Sequence, residues 1–451
     1  MKSGSFLFEV LQTIAEHGRW MIGQRPEPGT STSEFSRLCH MLLAGRGEAS
    51  GLALAAEILN VWRTAGEHER TDLLLILANE FGPDERKLEG AISAYQKNRD
   101  VKSAMAVHEA AEPLRQELFR RLNMAQGATG LLLEMRVATA RHVSRHPELK
   151  AVDDDFVHLL SSWFNRGFLR LRRIDWSTPA NILEKIIQYE AVHEIRNWDD
   201  LKRRLAPQDR RCFAFFHPQL IDEPLIFVEI ALMRHMPSSI GEVLNERRAA
   251  EIPAESTTTA VFYSISNCQA GLRGISFGNF LLKQVIEELR HELPGIVDFV
   301  TLSPVTGFAA WLKKPGGNSA LALERAELIS LIKPAWQNDP ETVEAISRRL
   351  PALAAEYLVR ARTSLGLPAD SVARFHLGNG ARLERISMLG DPSPKALAES
   401  CGLMVNYRYK LDDLVKNHER FTSHGEVVAA PGVRRLLVDR YIKENGAAAH
   451  A

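Results

Sequence analysis

Near residue 170 the spacing of apolar residues changes, and that change restricts the chain to an architecture in two parts. Before it, apolar residues recur at helical intervals: Leu7, Val10, Leu11 and Ile14, then Leu54, Ile58, Val61 and Trp62. Gly82-Pro83 stops the helix that carries Leu73, Leu74 and Leu77, and the turn material from Pro26 to Thr32 ends in a candidate N-cap. After it come short segments rich in Phe, Val and Ile, separated by turns, as a sheet requires. These are Cys212 to Phe216, Leu225 to Met233, Thr259 to Ser266 and Val297 to Leu302. An amphipathic helix, Phe280 to Glu292, lies between the last two and places Leu282, Ile286 and Leu289 on one face. The expected fold is multidomain: an all-α helical bundle over 1–176, charged helices joining the halves over 177–210, and a mixed α+β domain over 211–451. A chain of 451 residues is longer than one hydrophobic core supports, which agrees with this division.

Charge narrows the function. The 56 basic and 56 acidic residues cancel, so no global field draws the protein to nucleic acid or an anionic membrane, and any bound anion must be held locally. No stretch approaches the roughly 20 uninterrupted apolar residues of a membrane span. Glu9 interrupts the first apolar run, and no small-residue cleavage site follows, so a helix is expected there and the protein is expected in the cytoplasm. Cys39, Cys212, Cys268 and Cys401 are far apart and form neither CxxC nor a metal-ligand spacing; buried, reduced thiols are expected, and no metal site.

The most informative stretch is strand, Gly-rich turn, helix: AVFYSISNCQAGLRGISFGNFLLKQVIEEL, residues 260–289. Gly271, Gly274 and Gly278 let the backbone approach a ligand closely, and the free N–H groups of the following helix suit a phosphate or pyrophosphate. The same glycines would also serve a tight strand-to-helix turn. No Lys-Ser/Thr pair follows, so this is not a Walker A loop, and the spacing is not GxGxxG.

Arg273 to Gly278, R-x-x-S-x-G, is similar to the (Q/R)-x-x-G-x-(G/A) acyl-CoA pyrophosphate loop of the GNAT acetyltransferases, with Ser276 in place of the middle glycine. Three further segments sharpen the likeness: YSIS at 263–266, LSPVTGF at 302–308, and FHLGNGA at 375–381 followed by CGLMVNYRY at 401–409. With these the C-terminal half resembles the malonyl-CoA decarboxylase family, which uses the acetyltransferase-like fold for a different reaction. The N-terminal half resembles that family's helical domain in length and character only.

The resemblance implies a carboxy-lyase that converts malonyl-CoA to acetyl-CoA and carbon dioxide, with Ser303 and His376 as the catalytic pair. It implies that Arg273, Gly274, Ile275, Ser276, Phe277, Gly278 and Asn279 hold the coenzyme A pyrophosphate, and that the chain forms a homo-oligomer, a dimer or tetramer. Asn406, Tyr407 and Tyr409 are candidates for the acyl pocket or for the core. Read without the resemblance, Ser303 is a turn residue held extended by Pro304, and His376 a packed histidine before a Gly-Asn-Gly turn.

The chemistry asks for little else. A malonyl thioester can lose carbon dioxide because its carbonyl takes the electrons as an enolate, so no cofactor is required. Donors near the thioester oxygen stabilise that oxyanion, and a backbone N–H near the strand ending at Ser266 is expected among them. The enolate then needs a proton on carbon, for which His376 is the expected general acid. Two other functions share much of this sequence logic: transfer of an acyl group from coenzyme A to an amine, and a non-catalytic scaffold that senses an acyl-CoA.

Overall fold

A computed structural model of the chain describes residues 30–45, 47–245, 252–275, 281–314 and 320–437. The N-terminal helix expected over the first residues lies outside them. Two compact units emerge: the described residues up to Leu169, together with His217–Glu223 and those of Gln269–Phe277, form the first, and the rest form the second.

The first unit contains eight α-helices among its described residues, running from Ser31–Ala44 to Leu149–Trp163. Thr30 caps the first of them, its hydroxyl accepting from Ser33 N at 3.3 Å. Leu54, Ile58, Val61, Trp62, Leu73, Leu74 and Leu77 are all buried, as their helical spacing requires. Phe119 and Phe156 stack at 4.2 Å between centroids. One buried carboxylate, Asp155, accepts from both Arg115 and Gln116. Two neighbouring helices, Glu85–Lys97 and Val101–Ala111, bury none of their residues.

The second unit is built on an eight-stranded mixed sheet. Its strands are β1 (Arg170–Ile174), β2 (Arg210–Phe216), β3 (Pro224–Met233), β4 (Thr259–Asn267), β5 (Asp298–Thr301), β6 (Ser303–Pro304), β7 (Arg382–Ser387) and β8 (Met404–Arg408). They lie in the order β1-β2-β3-β4-β5-β8-β6, with β7 also paired to β8. Every residue of β2 and β3 is buried, which explains why they read as continuous apolar runs rather than alternating ones. The segment 177–210, expected to join two halves, contributes to this core. Ile182, Leu183 and Ile186 of the Ala180–Tyr189 helix, with Leu201 and Leu205 of the Trp198–Leu205 helix, pack on Cys212, Ala214, Phe216 and Phe227. Burial of each such side chain stabilises by ~1.5–3 kcal/mol. The charges that suggested a linker leave an apolar stripe intact.

The connection from β4 through the Leu281–Glu292 helix returns to β5, and these two strands make the sheet's parallel pair. Their pairing ends at Phe262↔Thr301, while β4 continues to Asn267 against β3. From Tyr263 onward β4 therefore has no β5 residue beside it. The order expected from the sequence, an all-α part followed by an α+β part, is the order observed.

Candidate active site

The divergence of β4 from β5 sits beside a cavity of about 310 Å³ within the second unit. Phe262, Tyr263 and Ile265 of β4 line it, together with Ser303, Pro304, Phe375 and His376. Ser303 stands in the short β6, paired with Val405 of β8. His376 stands in the last turn of the Ser371–Gly378 helix, which begins at Asp370, whose Oδ1 accepts from Ala373 N at 2.8 Å. The helix stops at the Gly-Asn-Gly turn because Gly380, at φ +82°, lies so close to Leu414 that a Cβ there would fall 2.2 Å from its carbonyl oxygen.

These elements bring together two side chains 73 residues apart: Ser303 Oγ lies 3.2 Å from His376 Nε2. Ser303 also donates to Thr301 Oγ1 at 3.0 Å, and that oxygen accepts from Tyr407 N at 3.1 Å. With the serine proton directed to Thr301, Nε2 carries a hydrogen toward Ser303, and Nδ1 accepts from the Tyr409 hydroxyl at 2.8 Å. The Tyr407 ring stacks on the imidazole at 4.6 Å between centroids. Burial in this apolar surround drives the His376 pKa down to about 3, so the free protein holds a neutral ring. Burial also pushes Tyr409 well above the usual tyrosine range and keeps its hydroxyl protonated.

Asn406 does not line the cavity. It is fully buried; its Nδ2 donates to Thr301 O at 2.8 Å and Pro237 O at 3.2 Å, and its Oδ1 accepts from Arg385 Nε at 3.0 Å. Tyr407 meets the site through the face of its ring against His376, and Tyr409 through its hydroxyl. Of the expected pyrophosphate loop, Arg273 and Gly274 are exposed and Ile275 is buried, whereas Ser276, Phe277, Gly278 and Asn279 lie outside the described residues. The loop's first glycine has a packing role: a Cβ at Gly271 would meet the Leu133 carbonyl oxygen at 2.6 Å. Arg136 fixes this stretch, donating to Gly271 O at 2.6 Å and Arg273 O at 2.8 Å.

A second polar group, missed by sequence reasoning, borders the same cavity. His193, Asp391 and Lys395 line it, and Glu190 lies beneath, accepting from Ser264 Oγ at 2.8 Å and Ser266 Oγ at 3.2 Å. The available signal was the pair of hydroxyls two residues apart in an otherwise apolar strand, which places both on one face and calls for a buried partner. Among the described residues no cluster of three or more His, Cys, Asp or Glu side chains is placed to hold a metal ion.

Comparison with known proteins finds two family models along the chain. Residues 167–447 match the malonyl-CoA decarboxylase C-terminal domain, and residues 81–164 its N-terminal domain. The mitochondrial malonyl-CoA decarboxylase of Anser anser anser is 36% identical over 416 residues, covering 84% of this chain and 82% of that protein. That of Mus musculus is 32% identical, covering 82% of each. Among solved structures, malonyl-CoA decarboxylase from Rhodopseudomonas palustris superposes with a TM-score of 0.87 at 52% identity, over 90% of this chain and all of that one. The Agrobacterium vitis enzyme gives a TM-score of 0.85 at 54% identity, over 89% and 99%.

Proposed function

The chain belongs to the malonyl-CoA decarboxylase family, and on that premise we propose how it carries out the decarboxylation of malonyl-CoA to acetyl-CoA and carbon dioxide. The observation that carries the proposal is the 3.2 Å approach of Ser303 to His376 in the wall of a cavity sized for a small acyl group. In this reading the bond between the α-carbon and the carboxylate breaks, its electron pair passes into the thioester as an enolate, and the carbon then takes one proton. No cofactor enters the scheme, because the thioester itself is the electron sink. A backbone N–H near the end of β4 remains our candidate for stabilising the oxyanion.

His376 supplies the proton. Alone, the buried ring is neutral, since an isolated imidazolium there would be poorly solvated. The negative charge of the bound substrate, retained in the enolate after carbon dioxide leaves, offsets that cost, so the ring takes up one proton from solvent as substrate binds, passes it from Nε2 to the carbon and returns to its neutral form. Tyr409 fixes the ring's orientation through Nδ1. Ser303, whose hydroxyl donates to Thr301 Oγ1 in the free protein, turns to donate to the substrate beside the reacting carbon and forms no acyl-enzyme.

We further propose that Arg273 to Asn279 hold the coenzyme A pyrophosphate through backbone N–H groups. The protein is proposed to be a homo-oligomer, dimer or tetramer, a reading supported by the two helices of the first unit that bury nothing and leave Val101 and Met105 exposed. A cytoplasmic location is proposed as well; among the described residues no helix is long and apolar enough to cross a membrane.

The test is incubation of purified protein with malonyl-CoA, following acetyl-CoA by chromatography for wild type, Ser303→Ala and His376→Ala. A loss of at least about a hundredfold in each variant is the scale expected for removing a general acid or its partner. Full activity in either would remove that residue from the scheme.

A further inference from the structure

The scheme above leaves one buried imidazole of the cavity without a task. The His193 side chain is 8% exposed, and among the described residues its Nε2 has no hydrogen-bond partner. Its backbone, in contrast, is held from both sides. Glu190 Oε1 accepts from Val192 N at 2.9 Å and His193 N at 2.7 Å, and Ser264 and Ser266 hold that carboxylate in place. On the other side Arg204 donates to His193 O and to Glu194 O, each at 2.8 Å, and lies 3.2 Å from the buried Glu229. A ring carried on so firmly held a backbone, with one polar atom buried and unpaired, carries a desolvation cost that a ligand would relieve.

The chemistry of the ligand decides which part that is. The malonyl group offers only acceptors, its thioester carbonyl and its carboxylate, so a nitrogen that meets it must carry hydrogen. Burial lowers the His193 pKa to about 4; Asp391, with Oδ2 4.0 Å from Nδ1, and the Tyr263 backbone pull it upward, while Arg204 and Lys395 oppose them. A carboxylate arriving at Nε2 sets the ring between two anions, which favours a donor at both nitrogens.

We infer that His193 is a specificity-determining residue of the acyl cavity, with Nε2–H holding the carboxylate that leaves as carbon dioxide and so reserving Ser303 and His376 for the thioester end. The inference rests on the reading of this cavity as the acyl site. Loss of carbon dioxide removes the bond's acceptor, so the product is held without it.

The test measures binding in His376→Ala protein, where slow turnover makes titration feasible. Malonyl-CoA is expected to bind more tightly than acetyl-CoA by about tenfold or more, the scale of one hydrogen bond to a charged group. Adding His193→Ala abolishes that preference while acetyl-CoA binding, which also reports an intact fold, stays unchanged; adding His193→Gln, which keeps a donor, restores part of it. A preference that survives His193→Ala, or equal weakening of both ligands, overturns the inference. Should His376→Ala turn over at the wild-type rate, the catalytic reading fails instead, and the KM for malonyl-CoA of His193→Ala against wild type decides the matter separately.

Discussion

The Tyr409 hydroxyl lies 2.8 Å from Nδ1 of His376, on the side of the ring opposite the nitrogen that faces Ser303. A phenol that stays protonated donates to Nδ1 of the neutral ring, leaving Nε2 to carry hydrogen toward the substrate, and its oxygen can accept from Nδ1 once the ring is protonated. Tyr409→Phe is expected to lower kcat ~10–100-fold, the range seen for partners that orient a functional histidine. KM should change little, because the hydroxyl does not line the cavity. Steady-state kinetics would check this, and an unchanged kcat would mean packing alone orients the ring.

Acid should destabilise the protein through its buried histidines. An unfolded histidine takes a proton below pH ~6.5, whereas His376 and His193 stay neutral in the folded chain down to about 3 and about 4. The unfolded state therefore binds more protons, and stability is lost as pH falls from ~6.5 toward those values, at up to ~1.4 kcal/mol per pH unit for each ring. Denaturant midpoints at about pH 7 and about pH 5 should show a smaller drop for His376→Gln, which cannot titrate. The same drop in that variant would assign the acid sensitivity elsewhere.

Arg204 and Glu229 are unequal partners. Burial, reinforced by Glu190, raises the Glu229 pKa to about 8 despite Arg204, so its neutral form is accessible near physiological pH. Glu229→Gln is expected to cost less than ~1 kcal/mol, whereas Arg204→Met strands the His193 and Glu194 carbonyls and takes a cation from Asp200, each orphaned group costing ~1–3 kcal/mol. Chemical denaturation of both variants compares them directly, and equal losses would contradict the asymmetry.

Asn406→Leu separates core from pocket. The substitution leaves Arg385 Nε without its acceptor and the Thr301 carbonyl without this donor, at ~1–3 kcal/mol each, while the Pro237 carbonyl keeps Arg385 as a donor. Stability should fall while KM for malonyl-CoA stays near wild type. A raised KM at unchanged stability would return Asn406 to the acyl pocket.

Much of the framework was readable because burial and sequence pattern coincide. β2, β3 and β4 are apolar runs bounded by turns and were located to within two residues. β1 (RLRRI) and β7 (RLERIS) were missed, since their several arginines, in β1 on both faces, disguise a strand. Ser303 and His376 were found through the segments around them, but the hydrogen bond from Tyr409, 33 residues from His376, depends on how β8 crosses the sheet. His193 carries no local mark at all. Its setting is made by β4 serines more than 70 residues away, a relation that only the folded chain displays.

The carboxylate of Glu190 gathers the hydroxyls of Ser264 and Ser266 and the N–H groups of Val192 and His193. This makes several positions one unit of inheritance. A change at either serine leaves an oxygen of the half-buried Glu190 short of a donor, and a change at Glu190 takes the acceptor from both hydroxyls together. Across related chains these sites should accordingly drift in concert or stand still, with compensating pairs more frequent than single replacements.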